Sequence, residues 1–395
     1  MKVALSFPGC HRRAGVERVM FECARFLARN GHDVHVFARE WEPDPVAPIA
    51  YHGVPSRHRP WFLTGASYYA HAVRMLDRRA FDVVNTHGVV CPTGGVHWVQ
   101  SVHAAWLERA RAHRPFWSLA RWKQALNPVH RPLLSLERQH FAGRAYRKVI
   151  ATTPDVRDDL GRFYGVPEKD VVIVPNGFSP EEFNPARRLE RRDAARARVG
   201  LTPDHVAVLF VANELERKGY RTLLAALRIL NRPELRVLVV GRPPKSKVTR
   251  LARAMGVAQQ VIPCGPTGDV AVFHAAADLF VLPTQYEAFC LAILEALGSG
   301  LPVVTTNVPG ARDAIRHGIN GLLIEDPRGA EELAGALRRM LDPDVRRRMT
   351  DRAADSVAAH QWPVVLRAYE EVLRGATSTP APTQALAAGA CRVAP

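Results

Sequence analysis

The first forty residues already restrict the fold. Residues 2–7 form a short apolar run, residues 15–31 carry apolar side chains at helical spacing and stop at Gly31, and residues 33–38 form a second apolar run. A strand, a crossover helix and a strand in so little chain imply a parallel sheet with helices on its faces. In such sheets ligands gather beyond the carboxyl ends of the strands. The loop holding Arg12, Arg13, Ala14 and Gly15 is therefore a candidate phosphate neighbour. Neither G-x-G-x-x-G nor a Walker A string is present, so neither a nicotinamide site nor a P-loop is expected.

The same alternation continues through the chain. Strands are expected at 81–86, 148–153 and 171–174, and helices at 69–79 and 154–164. A second series of strands reads at 206–211, 235–240, 260–262, 278–282, 302–305 and 322–324, with helices between and two more after the sheet. The turn-dense segment 175–185 and the charged run to Gly200 mark a junction near 176–203. The expected domains are 1–178 and 203–358, followed by a helix at 362–374. The Ala/Thr/Pro-rich stretch 376–395 lacks a pattern and is expected to be disordered. The fold class is α/β, with two doubly wound parallel sheets.

Composition narrows the function classes. The chain has 395 residues and is 47% hydrophobic, enough for two cores, yet no apolar run approaches the roughly 18 residues of a membrane span. The N-terminus enters a strand directly, so no signal peptide is expected. Six cysteines, at 10, 23, 91, 264, 290 and 391, show no metal-finger spacing and read as thiols of a reducing compartment. The formal charge is +16, and residues 101–150 hold ten Lys/Arg against two acids. Trp98, Trp106, Trp117 and Trp122 lie in or beside that window. Basic residues interleaved with aromatics suit an anionic membrane surface or single-stranded nucleic acid. They equally suit helices that bury their aromatics and solvate their arginines.

Chemistry concentrates in residues 282–300. The strand breaks at Pro283, and a helical pattern is expected from near Glu287 to Gly298. Glu287 and Glu295 would then stand on broadly the same side, since eight positions are two turns plus roughly 80°. The helix mouth offers unpaired N–H groups and a positive dipole end, which suit an anion. Glu295 lies among apolar residues, where a lone acid is costly unless a polar ligand or partner meets it. Arg217 and Lys218, before Gly219, follow a strand and can neutralise a diphosphate. His97 and His103 are each candidates for a general base or an acceptor contact, and the loop before His103 favours that residue. No spacing suggests a metal site. Asp342-Pro343-Asp344 reads as a helix start with Asp344 as the cap.

These residues resemble the retaining GT-B glycosyltransferases of family 4. Glu287-x7-Glu295 within YEAFCLAILEALGSGLPVV looks like the family signature, and Ala14-Gly15, Pro175-Asn176-Gly177, Arg217-Lys218-Gly219 and Trp362 follow in the family's order. The N-terminal pattern GVERVMFECARFLARNGHDVHVFAREWE looks most like the lipopolysaccharide core glucosyltransferases. The resemblance implies two Rossmann-like domains facing across a cleft, with the last helix returning to the first domain. It implies that Lys218, with Arg217, contacts the diphosphate of a nucleotide sugar, and that Glu287 meets the sugar hydroxyls. The backbone at Phe289, Cys290 and Leu291 would approach sugar and phosphate, Glu295 the ribose, and Gly15 would give the N-terminal loop room beside the phosphate. His103 corresponds to an acceptor-side histidine. Two positions depart from the family pattern. Ala14 replaces a common glycine, and Ala212-Asn213 lacks the arginine that many members carry ahead of the lysine.

The expected function is transfer of a hexose from a nucleoside diphosphate sugar to a glycolipid or polysaccharide, with lipopolysaccharide core as one candidate, without a metal or other cofactor. The expected location is the cytoplasmic face of the inner membrane, with residues 101–150 meeting anionic lipid. The rival readings are a nucleotide-sugar epimerase or hydrolase on the same fold, and a basic nucleic-acid-binding protein, which would leave the Glu-x7-Glu pattern unexplained.

Overall fold

The computed structural model describes residues 1–56, 64–91, 94–112 and 126–377. Trp117, Trp122 and the 378–395 stretch lie outside the described residues. The chain divides into two compact units. One is built from Met1–Ala105, Leu119–Val174 and the chain from Leu366 on, the other from Trp106–Ser118 and Pro175–Val365.

The first unit holds β1 (Lys2–Ser6), β2 (Gly9–Cys10), β3 (Asp33–Ala38), β4 (Glu40–Trp41), β5 (Ile49–Gly53), β6 (Val83–His87), β7 (Val96–Val99), β8 (Lys148–Ala151) and β9 (Val171–Ile173). Seven of them form a sheet in the order β5-β3-β1-β6-β7-β8-β9, with every pairing parallel. β2 and β4 pair separately. The order runs outward from β1 in both directions, so a topological switch point lies between β1 and β6. β5 went unread in the sequence because prolines flank it and, paired along one edge only, it has no buried residue to give an apolar run. The second helix spans Thr64–Met75 rather than 69–79, since Asp77 accepts from the Arg79 amide and starts a separate 3-10 turn, Arg78–Ala80.

The second unit holds β10 (Val206–Val211), β11 (Leu235–Val240), β12 (Val261–Gly265), β13 (Leu279–Leu282), β14 (Val303–Thr306) and β15 (Gly321–Ile324), ordered β12-β11-β10-β13-β14-β15 and again parallel throughout. Here the switch point lies between β10 and β13. The 176–203 stretch contains the helix Pro185–Arg198, which packs in this unit. Its Arg192 and Arg196 reach Asp278 at 2.5 and 3.2 Å, and Asp278 also accepts from the Ala207 amide at 2.7 Å. Asp278 therefore anchors that helix at the entry of β13 instead of opening the strand. The Asp-Pro-Asp string is a helix start, but Asp342 is the cap and accepts from the amides of Asp344 and Val345 at 2.8 and 3.2 Å. Pro343 fits the first helical position, which needs no donor.

The last helix, Trp362–Thr377, begins in the second unit and from Leu366 belongs to the first. Tyr369 is fully buried, donates to Asn85 Oδ1 at 2.9 Å and packs on Trp98, while Glu370 pairs with His32 at 2.9 Å. Trp98, half of the aromatic pattern's described part, is thus core. Gly177 and Trp362, distant in sequence, touch within the second unit: a Cβ on Gly177 would lie 2.6 Å from the indole.

Histidines are unusually deep in the first unit. His97 bridges Thr86 Oγ1 at 2.5 Å and His140 Nδ1 at 3.0 Å, and His87 stacks on Trp98 with neither ring nitrogen bonded to a described residue. Burial lowers the pKa of His87 to about 3 and of His97 to about 4, and holds His140 well below its ordinary value. Unfolded, all three take up protons near pH 6.5; folded, they do not until lower pH. Stability is therefore retained above about pH 6.5 and lost as pH falls toward 4, at up to about 1.4 kcal/mol per pH unit for each ring. Urea denaturation between pH 7 and 4.5 should show this decline. His87→Phe should keep stability at pH 7 and flatten the slope.

Candidate functional site

The switch point of the second sheet assembles the strongest constellation. The loop after β10 carries Arg217, Lys218 and Gly219; the loop after β13 carries Pro283, Thr284 and Glu287. Gly219 has φ +79°, and a Cβ there would sit 1.9 Å from the Pro283 carbonyl oxygen. Only glycine permits both the left-handed backbone and this approach. The contact is then sealed by the Gln285 amide donating to the Arg217 carbonyl at 2.9 Å. Gly310, at φ +69°, lets a third loop press on Ala288 in the same way.

Glu287 is 6% exposed. Its Oε1 accepts from Lys218 Nζ at 2.5 Å, Arg217 Nη1 at 3.0 Å and Thr284 Oγ1 at 3.0 Å. Its Oε2 receives no hydrogen bond among the described residues. One oxygen is thus fixed by three donors and the other is left to accept. Burial is the strongest influence on Lys218 and opposes its charge, but Glu287 and Cys290 together outweigh it and hold the ammonium above its usual pKa.

The two cations differ. Arg217 also donates to both oxygens of Glu214, at 3.3 and 3.2 Å, and to the Tyr286 carbonyl at 2.9 Å. Four of its five donors are committed, so it shapes the 284–287 loop. Among the described residues, the Lys218 ammonium donates to Glu287, with two N–H bonds in reserve. Lys218 is the cation better prepared for a phosphate.

The helix begins later than the sequence implied. It spans Leu291–Gly298 with Cys290 as its cap residue, so Glu287 stands four positions before its first residue, in irregular backbone. The helical-face argument for Glu287 and Glu295 therefore fails: Pro283, Thr284 and the Arg217 contact hold 283–290 out of the helix. The neighbourhood survives. Burial lifts the Cys290 thiol pKa to about 11, with Lys218 opposing and Glu287 and Glu295 both adding. All three charged groups act on this one thiol. Phe289 and Leu291 are half-buried beside it, and while the Ile293 and Leu294 amides donate to the Cys290 carbonyl, those of Leu291 and Ala292 have no backbone acceptor among the described residues. Thr284, fully buried, was not singled out in the sequence; a hydroxyl directly after a strand-ending proline was its only signal.

The remaining candidates lie in the first unit. Gly15 opens the helix Gly15–Arg29, and a Cβ there would meet nothing within 4 Å, so the chain leaves room beside it. Arg12 pairs with Glu42 at 2.8 Å and Arg13 with Glu40 at 3.6 Å, which turns both toward carboxylates. His97 is buried in the Thr86–His140 chain and is structural. His103 opens the helix His103–Ala112 and is half-buried; burial, then His130, lowers its pKa to about 4, so it is neutral at pH 7. Among the described residues no group of three or more His, Cys, Asp or Glu side chains could hold a metal.

Comparison with known proteins agrees with this layout. Residues 13–182 match the model of Glycosyltransferase Family 4, and residues 191–356 that of Glycosyl transferases group 1. A D-inositol 3-phosphate glycosyltransferase of Thermobispora bispora is 30% identical over 93% of this chain and 91% of its own length. A crystal structure of WaaG, a glycosyltransferase involved in lipopolysaccharide biosynthesis, superposes with a TM-score of 0.82 at 25% identity, covering 94% of this chain and 100% of that one. Sucrose-phosphate synthase of Thermosynechococcus elongatus shares the fold, with a TM-score of 0.76 at 21% identity over 95% and 98% of the two chains.

The loop contact at Gly219 is testable against an internal control. Gly256 also has positive φ, +75°, but open space around it. Gly256→Ala should cost about 1 kcal/mol, the backbone penalty alone. Gly219→Ala should cost clearly more in the same denaturant titration, and equal losses would deny the close approach.

Proposed function

The chain belongs to glycosyltransferase family 4, a GT-B-fold glycosyltransferase, and from this premise we propose that it moves a hexose, with retention, from a nucleoside diphosphate sugar to a glycolipid or polysaccharide hydroxyl. The observation that carries the donor assignment is the divided Glu287 carboxylate, with Oε1 held by Lys218, Arg217 and Thr284 and Oε2 open. In this reading Oε2 accepts from hydroxyls of the donor sugar. Lys218, with the amides at Phe289, Cys290 and Leu291, receives the diphosphate, Arg217 supports that loop, and Glu295 bonds the ribose.

As the bond from the anomeric carbon to the diphosphate breaks, its electron pair passes to the leaving oxygen. Lys218 and the helix-start amides stabilise that charge. The acceptor hydroxyl attacks from the face the diphosphate leaves, and its proton passes to a phosphate oxygen. Glu287 thus orients the sugar; the nucleophile of a double displacement is its alternative duty. Gly15 leaves space for the phosphate side of the donor, and neutral His103 accepts from the acceptor. No resident metal is assigned to the reaction.

Two kinds of relative bear on the acceptor. Likeness to WaaG, involved in lipopolysaccharide biosynthesis, supports a lipopolysaccharide acceptor, which we place in the core and at the cytoplasmic face of the inner membrane, whereas the inositol phosphate relatives support a small phosphorylated polyol. The basic 101–150 window favours the membrane-bound acceptor, with Arg131, Arg138 and Leu126 exposed in its described part. No described helix is long and apolar enough to cross a membrane. Flotation with vesicles should therefore require anionic lipid; equal recovery on neutral vesicles would remove the membrane assignment.

A thermal-shift panel of UDP-, GDP- and ADP-sugars tests the donor. A true donor at a hundred times its Kd adds about 2.7 kcal/mol of stability. Lys218→Ala should weaken that donor roughly ten- to a hundredfold, the loss of a charged hydrogen bond. Glu287→Gln should lower transfer about a hundredfold or more. Full activity in Glu287→Gln would end its assigned role, and product formed without acceptor would favour an epimerase or hydrolase.

A further inference from the structure

The short helix His130–Glu137 grips the start of the His103 helix at both of its ends. Its last residue, Glu137, is 1% exposed. The Glu137 carboxylate accepts from the His103 amide at 2.5 Å, the Ala104 amide at 3.2 Å and the Tyr164 hydroxyl at 2.5 Å. Its first residue, His130, places Nδ1 3.1 Å from His103 Nε2. Positions 130 and 137 are seven apart, so both side chains leave the same face of that helix.

Each contact does separate work. Glu137 supplies a negative charge and two acceptors at a helix start, where the orphan amides and the dipole favour an anion. It thereby fixes the backbone from which the His103 side chain projects. The 3.1 Å contact needs one ring nitrogen to donate and the other to accept, so the tautomer of His103 is coupled to that of His130. Burying a carboxylate merely to start one helix would be costly, and the Tyr164 hydroxyl adds a third donor to keep it in place.

We propose that Glu137 and His130 are positioning residues for His103, Glu137 setting its backbone and His130 its ring tautomer. The proposal rests on the acceptor-side reading of His103 for its functional meaning, but its geometry can be read without any substrate. The full chain, labelled with 15N at histidine rings and backbone, is studied by NMR at pH 7.5, with His103→Asn identifying the His103 ring signals.

Wild type should show a single His103 tautomer. His130→Phe, at a half-buried position that tolerates the ring, should move the two His103 nitrogens toward averaged values. The rings of His87 and His97 should not change. Glu137→Gln should shift the amide protons of His103 and Ala104 upfield, because a charged acceptor is lost. Tyr164→Phe, which removes one donor from the carboxylate and leaves the amide contacts, should shift the same two amides more weakly and serves if Glu137→Gln does not fold. Unchanged His103 ring signals in His130→Phe, or unchanged amides in a folded Glu137 or Tyr164 variant, would overturn the proposal. His103→Ala with full transfer would instead remove the acceptor-side reading and leave the positioning result standing.

Discussion

The second unit is organised by one carboxylate oxygen. Glu287 Oε1 collects a lysine, an arginine and a threonine from two loops that leave adjacent parallel strands. Removing one partner of such a buried set leaves charge uncompensated, which typically costs about 3–5 kcal/mol. That cost explains why the loops are joined by backbone as well, through Gly219 against Pro283 and the Gln285 amide on Arg217. The backbone contacts bring the charges within reach, and the charges fix where the carboxylate turns. Because all three donors choose Oε1, the geometry leaves the second oxygen as an acceptor rather than a saturated partner.

Much of this was legible because it depends on backbone rules. Parallel alternation read from short apolar runs gives both sheets, and the switch-point rule then directs attention to the loops after β10 and β13. Glu287, Lys218 and Arg217 stand out there as charged residues at strand ends. What stayed hidden depends on tertiary contacts. The helix after β13 has apolar spacing that extends back toward Glu287, yet Thr284 and the Arg217 carbonyl claim that segment first. Asp278 reads as the first residue of a strand, yet two arginines on the helix Pro185–Arg198 make it an anchor. In each case a long-range hydrogen bond overrides a local propensity.

The histidines of the first unit show the same limit. His97 and His103 are six residues apart and equally plausible by type. The sequence prefers His103 for the loop that precedes it. The structure separates them by burial: His97 sits in the sheet between Thr86 and His140, whereas His103 opens a helix and remains half-exposed. Glu137 could not be singled out, because its partners are amides 33 and 34 positions away. A lone glutamate in a basic window reads as a solvated charge until the fold brings helix starts to it.

The charges of the second site also bear on how a diphosphate could be held. Arg217 and Lys218 are balanced by Glu214 and Glu287, so the four groups together carry no net charge. An arriving diphosphate cannot rely on an unpaired cation. In the proposed reading it would take up the donors that Lys218 keeps in reserve and the unpaired amides at the start of the Leu291–Gly298 helix. This division has a chemical consequence. In the proposed donor reading, Glu287 would keep its partners and its orientation when an anion bound, so that sugar and phosphate contacts could form together without one dismantling the other. A site with Lys218 bare would bind free phosphate readily and would discriminate poorly between a nucleotide sugar and its product. In the proposed reading, pairing Lys218 to Glu287, the residue assigned to the sugar, would make the strength of phosphate binding depend on what occupies the sugar position.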